Sequence, residues 1–184
     1  MLKGDNSTIV GSKNNVLGTN TIIIGNKNNN TGSHNIIKGE MNNAAGDRNN
    51  IDGRINNVMG FDNNITGDIN TVLGDENQVK GNENKVAGSK NDIKGDTNIV
   101  KGNENSVEGN QNLLQGNQTN IKGSYNAVNG NNNDIEGNLN SAIGNDNSLT
   151  GDKNQVLGSE NTVKGDENVM EGNKNKVYGS QNAL

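Results

Sequence analysis

The side chains that could do chemistry are few. His34 is the single histidine, and the 184 residues contain no cysteine, tryptophan or proline. A histidine-based triad or metal site is therefore excluded within one chain, and so are thiol catalysis and disulfides. His34 sits between Ser33 and Asn35 and reads as a solvated residue. The acidic pairs Asp75-Glu76 and Asp166-Glu167, with Asn145-Asp146, offer the oxygen ligands that calcium takes. Calcium-binding repeats, however, keep Asp at a fixed place in a nine-residue unit. Here the corresponding place varies among Asp, Asn, Ser, Glu and Thr, so neither a metal nor any other cofactor is expected.

Composition narrows the classes further. Hydrophobic residues make up 27% and aromatics 2%, too little for an ordinary globular core. Asn and Gly together fill 70 positions. The net charge of −5 spreads over 16 basic and 21 acidic residues, which gives nucleic acid no basic face. No apolar run approaches the roughly 18 residues of a membrane span, so no membrane insertion is expected. The opening MLKGDNSTIVG lacks the apolar region of a secretory signal. Cysteine-free composition is compatible with life outside the cell, and an extracellular, cell-surface or spore-surface location is the expectation.

What organises this composition is a repeat. Glycine recurs at every seventh residue from Gly4 to Gly179, through Gly11, Gly18, Gly74, Gly81 and Gly144, giving 26 glycines with none out of phase. Asn follows three residues later in 23 of the 26 repeats, as at Asn14, Asn70, Asn77, Asn84, Asn140 and Asn182. The exceptions are Ser7, Thr21 and Thr119. Five residues after Gly stands an aliphatic residue or Met in 25 repeats, for example Val16, Val72, Val79, Val107, Ile135 and Val163. Asn30 alone breaks that column. Disorder does not keep such a phase, and a heptad carrying one Gly and several Asn cannot hold a coiled coil. Asn and the aliphatic lie two apart and so share one face of a strand. Gly supplies the positive-φ corner.

A period of 14 overlies the period of 7. Outward positions of alternate repeats carry Met41, Ile55, Met59, Ile69, Leu73, Ile99, Leu113, Tyr125, Leu139, Ile143 and Leu157, while the intervening repeats from the seventh to the twenty-third are polar. The first five repeats add Val10, Leu17, Ile22, Ile24 and Ile36 on both faces. The predicted fold is therefore all-β: a single-domain parallel β-solenoid over residues 1–184, two strands per coil, about 13 coils. At ~4.8 Å per coil it forms a rod roughly 60 Å long. The inward aliphatics form one dry seam and the inward Asn an amide ladder. Charges fourteen apart, Glu76, Lys90, Glu104 and Glu108, Lys122, Glu136, are expected to stack with alternating sign. The apolar face is read as an interface between copies of the chain.

Units such as NTVLGDENQVKG (Asn70–Gly81) and NSAIG (Asn140–Gly144) resemble the head repeats of trimeric autotransporter adhesins, and the resemblance covers the whole chain. It implies a left-handed β-roll with three chains packed by one face. It also implies core and corner roles for Asn70, Val72, Gly74, Asn77 and Val79, and a matrix or host-surface ligand. The neck, stalk and membrane anchor of that family have no counterpart in these residues. The pattern runs from Leu2 to Leu184 without an atypical cap, so both ends are expected to serve end-to-end contacts.

The functional expectation is a non-enzymatic structural subunit that packs laterally and stacks head to tail into a fibre; an adhesin head is the alternative. Carbohydrate-active β-helices carry their acids on long loops, and no loop here exceeds a corner. Ice binding calls for a flat column of Thr, and the fourth position after Gly mixes Thr, Asn, Gln, Lys, Asp and Ile.

Overall fold

A computed structural model describes Leu2, Lys3 and residues 5–184, with no side-chain detail at Leu2 and Lys3. The corner glycine expected at Gly4 and the end contact expected from the Leu2 side chain lie outside the described residues. Everything described is strand or corner, in a parallel two-sheet solenoid without helix. The chain divides into two compact units, residues 1–91 and 92–184.

In the first unit, sheet A holds Leu2–Lys3, Asn15–Leu17, Asn29–Thr31, Asn43–Ala45, Asn57–Met59, Thr71–Leu73 and Lys85–Ala87. Sheet B holds Thr8–Val10, Ile22–Ile24, Ile36–Glu40, Asn50–Arg54, Asn64–Thr66 and Gln78–Lys80. Each strand pairs in parallel with the strand fourteen residues away, as Val58 with Val72 and Ile51 with Ile65. The second unit repeats the scheme, with Ile99–Lys101 opening its sheet A and Asp92–Lys94 its sheet B.

Most strands are three residues long, and the pleat decides what they bury. In Thr71–Leu73 the middle Val72 is wholly buried while Leu73 points out and is exposed. β-branched residues suit such a half-buried pleat. Within each unit the middle residues of the two sheets meet in a seam, Val16, Val72 and Val79 in the first and Val107, Ile135 and Val163 in the second.

The corner differs from the simplest expectation. Glycine alone does not make it. At each corner the second residue after Gly is also left-handed, with φ near +60° whatever its type: Asn20, Arg48, Glu76 and Ile69 all adopt it. Glycine meets a second demand, close stacking. A Cβ on Gly60, whose φ is +134°, would stand 2.1 Å from the carbonyl oxygen of Gly74 in the next coil. Corners are laddered like strands, with Gly74 N donating to Met59 O at 2.9 Å and Glu76 N to Phe61 O at 2.9 Å.

Candidate functional faces

Three side-chain ladders hold the coils in phase. The innermost is the buried Asn column. Asn70 donates through Nδ2 to Asn56 Oδ1 at 3.1 Å and to Gly81 O at 2.8 Å, and its Oδ1 accepts from Asn84 N at 3.0 Å and Asn84 Nδ2 at 3.1 Å. Both donors and both acceptor sites of the amide are thereby used, which lets a polar group sit in a dry interior. Asn77 and Asn140 make the same kind of contacts, to Gly88 O and Gly151 O. Asn84 is buried, Asn14 half-buried and Asn182 exposed. The corner glycines Gly11, Gly18, Gly74, Gly81, Gly144 and Gly179 all have positive φ.

Sequence reasoning missed the second ladder. The residue just after Gly is short and polar in 23 of 26 repeats. Its side-chain oxygen accepts from the backbone N–H of its counterpart one coil earlier, as Asp75 Oδ1 does from Phe61 N at 2.8 Å and Asn131 Oδ1 from Asn117 N at 2.8 Å. The Asp, Asn, Ser and Thr variation that argued against calcium is thus the signature of a corner acceptor. Among the described residues no group of three His, Cys, Asp or Glu is placed to hold a metal ion. His34 is an exposed corner residue with Asn20 Nδ2 at 3.2 Å from its Nε2.

Charged residues decorate the corners and sheet B. Arg48 grips Asp62 with two hydrogen bonds, Nε to Oδ1 and Nη2 to Oδ2, both 2.6 Å. That hydrogen bond chiefly holds the Asp62 carboxyl below its ordinary range. Glu167 is lowered by hydrogen bonds from Gln181 and Lys153. In sheet B of the second unit Glu108 stands in register between Lys94 and Lys122, and Lys122 between Glu108 and Glu136. The charges alternate along the stack, yet no pair among Glu108, Lys122 and Glu136 closes to ion-pair distance. Glu104 instead accepts from Gln118 Nε2 at 3.0 Å.

Periodicity predicts all eleven candidate interface residues on one strand face; the structure divides them. Met59, Leu73, Ile99, Leu113, Ile143 and Leu157 point outward from sheet A and are exposed. Met41, Ile55, Ile69, Tyr125 and Leu139 lie instead at the corner that leads from sheet B into sheet A, each with φ between 57° and 63°. The second position after Gly is turned off the strand, so a period of two counted from Gly does not carry through it. Leu184 is exposed, and no strand includes it.

Sheet A of the first unit has a distinct outer surface. One outward column reads Asn15, Asn29, Asn43, Asn57 and Thr71, the other Leu17, Thr31, Ala45, Met59 and Leu73. None of the ten is charged. The amides link in sequence, Asn15 to Asn29 at 2.9 Å, Asn29 to Asn43 at 2.8 Å and Asn43 to Asn57 at 2.9 Å. This outer amide row is the third ladder, and it fixes side chains that would otherwise be free rotors. In the second unit, sheet A bears Lys101 and Glu171 and is hollowed over Ala127 and Ser141, where a depression of ≈ 210 Å³ is lined by Leu113, Gln115 and Asn129. Sheet B carries Lys38, Asp52 and Lys80 in the first unit.

Two thin parallel sheets, a fully used amide column and glycine corners every seven residues define a β-roll repeat protein. A family model described as a grass antifreeze beta roll matches residues 1–81 and again 56–144, and the chain belongs to that family. No curated protein matches it.

Proposed function

We propose that the chain is a non-catalytic ice-binding β-roll whose working surface is the outer face of sheet A in the first unit. The observation that carries this reading is the pair of uncharged outward columns from Asn15 to Leu73, one of them an amide ladder at the strand spacing of about 4.8 Å. That spacing lies close to the repeat of hexagonal ice. Alternating amide and apolar rows leave water ordered over the face without the tightly held hydration of an ion. Membership of an antifreeze β-roll family supports the same reading.

The objection from a mixed fourth position loses its force once the two sheets are separated. In sheet A of the first unit that position is Asn15, Asn29, Asn43, Asn57 and Thr71 before Lys85 ends the uncharged run; Gln78, Asp92 and Ile22 belong to sheet B. An extracellular or cell- or spore-surface location, where a protein meets growing ice, goes with this function. Thermal hysteresis tests it. A gap between melting and freezing points that widens with protein concentration, with faceted crystals, is expected; round crystals and no gap at any concentration count against it.

A second reading is lateral self-association, of the kind a fibre subunit or a trimeric adhesin head with a matrix or host-surface ligand would use. It is favoured by the bulky apolar residues exposed at the corner entering sheet A, among them Met41 at 39%, Ile55 at 46% and Tyr125 at 59%.

A further inference from the structure

Left-handed backbone is costly for β-branched and bulky side chains. Thirteen described corners lead from sheet A to sheet B, and their left-handed residue is always polar: Asn6, Asn20, His34, Arg48 and so on to Lys174. Met41, Ile55, Ile69, Tyr125 and Leu139 all fall on the other corner. In the first unit, three of them stack in consecutive coils, with Ile55 N donating to Glu40 O and Ile69 N to Arg54 O. Both edges are left-handed, but only this one places bulky apolar side chains there, exposed to water.

The same edge is unusual in two further ways. Its strands Ile36–Glu40 and Asn50–Arg54 are five residues long and pair on through Gly39 with Gly53 and Glu40 with Arg54. Glu40 and Arg54 also break the column of short polar corner acceptors. Lys38, Asp52, Glu40 and Arg54 make no ion pair within the chain. The Glu40 carboxylate accepts only a long hydrogen bond from Asn26 Nδ2, 3.4 Å.

We propose that this edge docks on a second copy of the chain through a two-fold axis that passes between the coils of Met41 and Ile55. The proposal deepens the lateral-association reading and is independent of ice binding. Charge complementarity favours this axis. Such an axis sets Lys38 against the partner's Asp52, Glu40 against the partner's Arg54 and Met41 against the partner's Ile55, each contact occurring twice. One coil further out, Ile69 meets the methylene stem of the partner's Lys27, and Asp68 meets the partner's Asn26. No like charges face each other. An axis through the Ile55 coil itself would set Arg54 on the partner's Arg54 and Glu40 on the partner's Asp68, which like-charge repulsion disfavours.

Sedimentation velocity over a concentration series tests this with the full chain. Wild type should reach twice the monomer mass. Arg54→Glu should weaken dimerisation by about tenfold or more, and Glu40→Arg with Arg54→Glu should restore it, because the exchanged charges again meet their opposites. Ile55→Asn should give a monomer that is fully folded by circular dichroism, since Asn accepts the left-handed corner. A wild type monomeric throughout overturns both the docking and the lateral-association reading. Association that persists in Arg54→Glu and Ile55→Asn keeps lateral association but overturns this edge, as does a double exchange that fails to rescue.

Discussion

Asn35 donates through Nδ2 to Asn30 Oδ1 at 2.8 Å, a contact that joins the amide ladder to the one polar residue of the core seam. It explains two irregularities of the sequence as one. A ladder Asn at position 21 would accept from Asn35 and donate to Gly32 O; Thr21 has no amide, and its Oγ1 reaches Gly32 O only at 3.4 Å. Asn30 does both jobs from the neighbouring column, accepting from Asn35 and donating to Gly32 O at 2.9 Å. A double-mutant cycle should show this coupling. Asn30→Val alone should destabilise by about 1–3 kcal/mol, because Asn35 and Gly32 lose buried partners. Asn30→Val with Thr21→Asn should recover most of the loss in denaturant titration, and additive effects would refute the exchange.

Thr119 is the contrasting case. It too replaces a ladder Asn: its Oγ1 accepts from Asn133 N at 3.3 Å and reaches Gly130 O only at 3.4 Å, and the neighbouring core residue, Val128, has no amide to complete the ladder. Thr119→Asn should therefore raise stability by about 1 kcal/mol, read as an upward shift in the denaturation midpoint.

Gly60→Ala should be severe. The new Cβ would press on the Gly74 carbonyl, whose oxygen accepts from Asn63 Nδ2 at 2.8 Å, and φ of +134° suits no other residue. A loss of about 3 kcal/mol or more is expected from combined clash and backbone strain. A melting temperature close to wild type would contradict the stacking argument.

The Arg48–Asp62 pair gives a pH signature. Asp62 titrates below its ordinary 3.8 in the folded chain, mainly through the Arg48 hydrogen bond. Its contribution is thus present above the unfolded value and is lost as pH falls through the lowered folded one. The stability difference between wild type and Asp62→Asn should be level from neutral pH to about 5 and shrink below 4, as urea titrations at several pH values will report.

Much of the architecture is legible in the sequence because each column repeats one chemical type. Gly, Asn and aliphatic positions name the corner, the ladder and the seam, and the 14-residue overtone separates the two sheets. The left-handed second corner residue is hidden, since Lys, Glu, Asn and Ile all fill it and the backbone conformation is imposed by the stack. The acceptor column was visible as Asp, Asn, Ser and Thr after Gly, but it reads as variation until the coils are stacked. The uncharged face was obscured for a simpler reason. Pooling the fourth position over both sheets mixes Asn43 and Asn57 with Asp92 and Gln78, residues that face opposite ways.

Matched threonines on the two sheets of the first unit provide the most direct test of ice binding. Thr31 points outward from sheet A and Thr66 from sheet B, and both are exposed. Thermal hysteresis should be recorded for wild type, Thr31→Lys and Thr66→Lys at equal concentration. Most of the activity should vanish in Thr31→Lys and persist in Thr66→Lys. Equal activity in the two variants, or loss in Thr66→Lys alone, would contradict the assignment of sheet A as the ice-binding face.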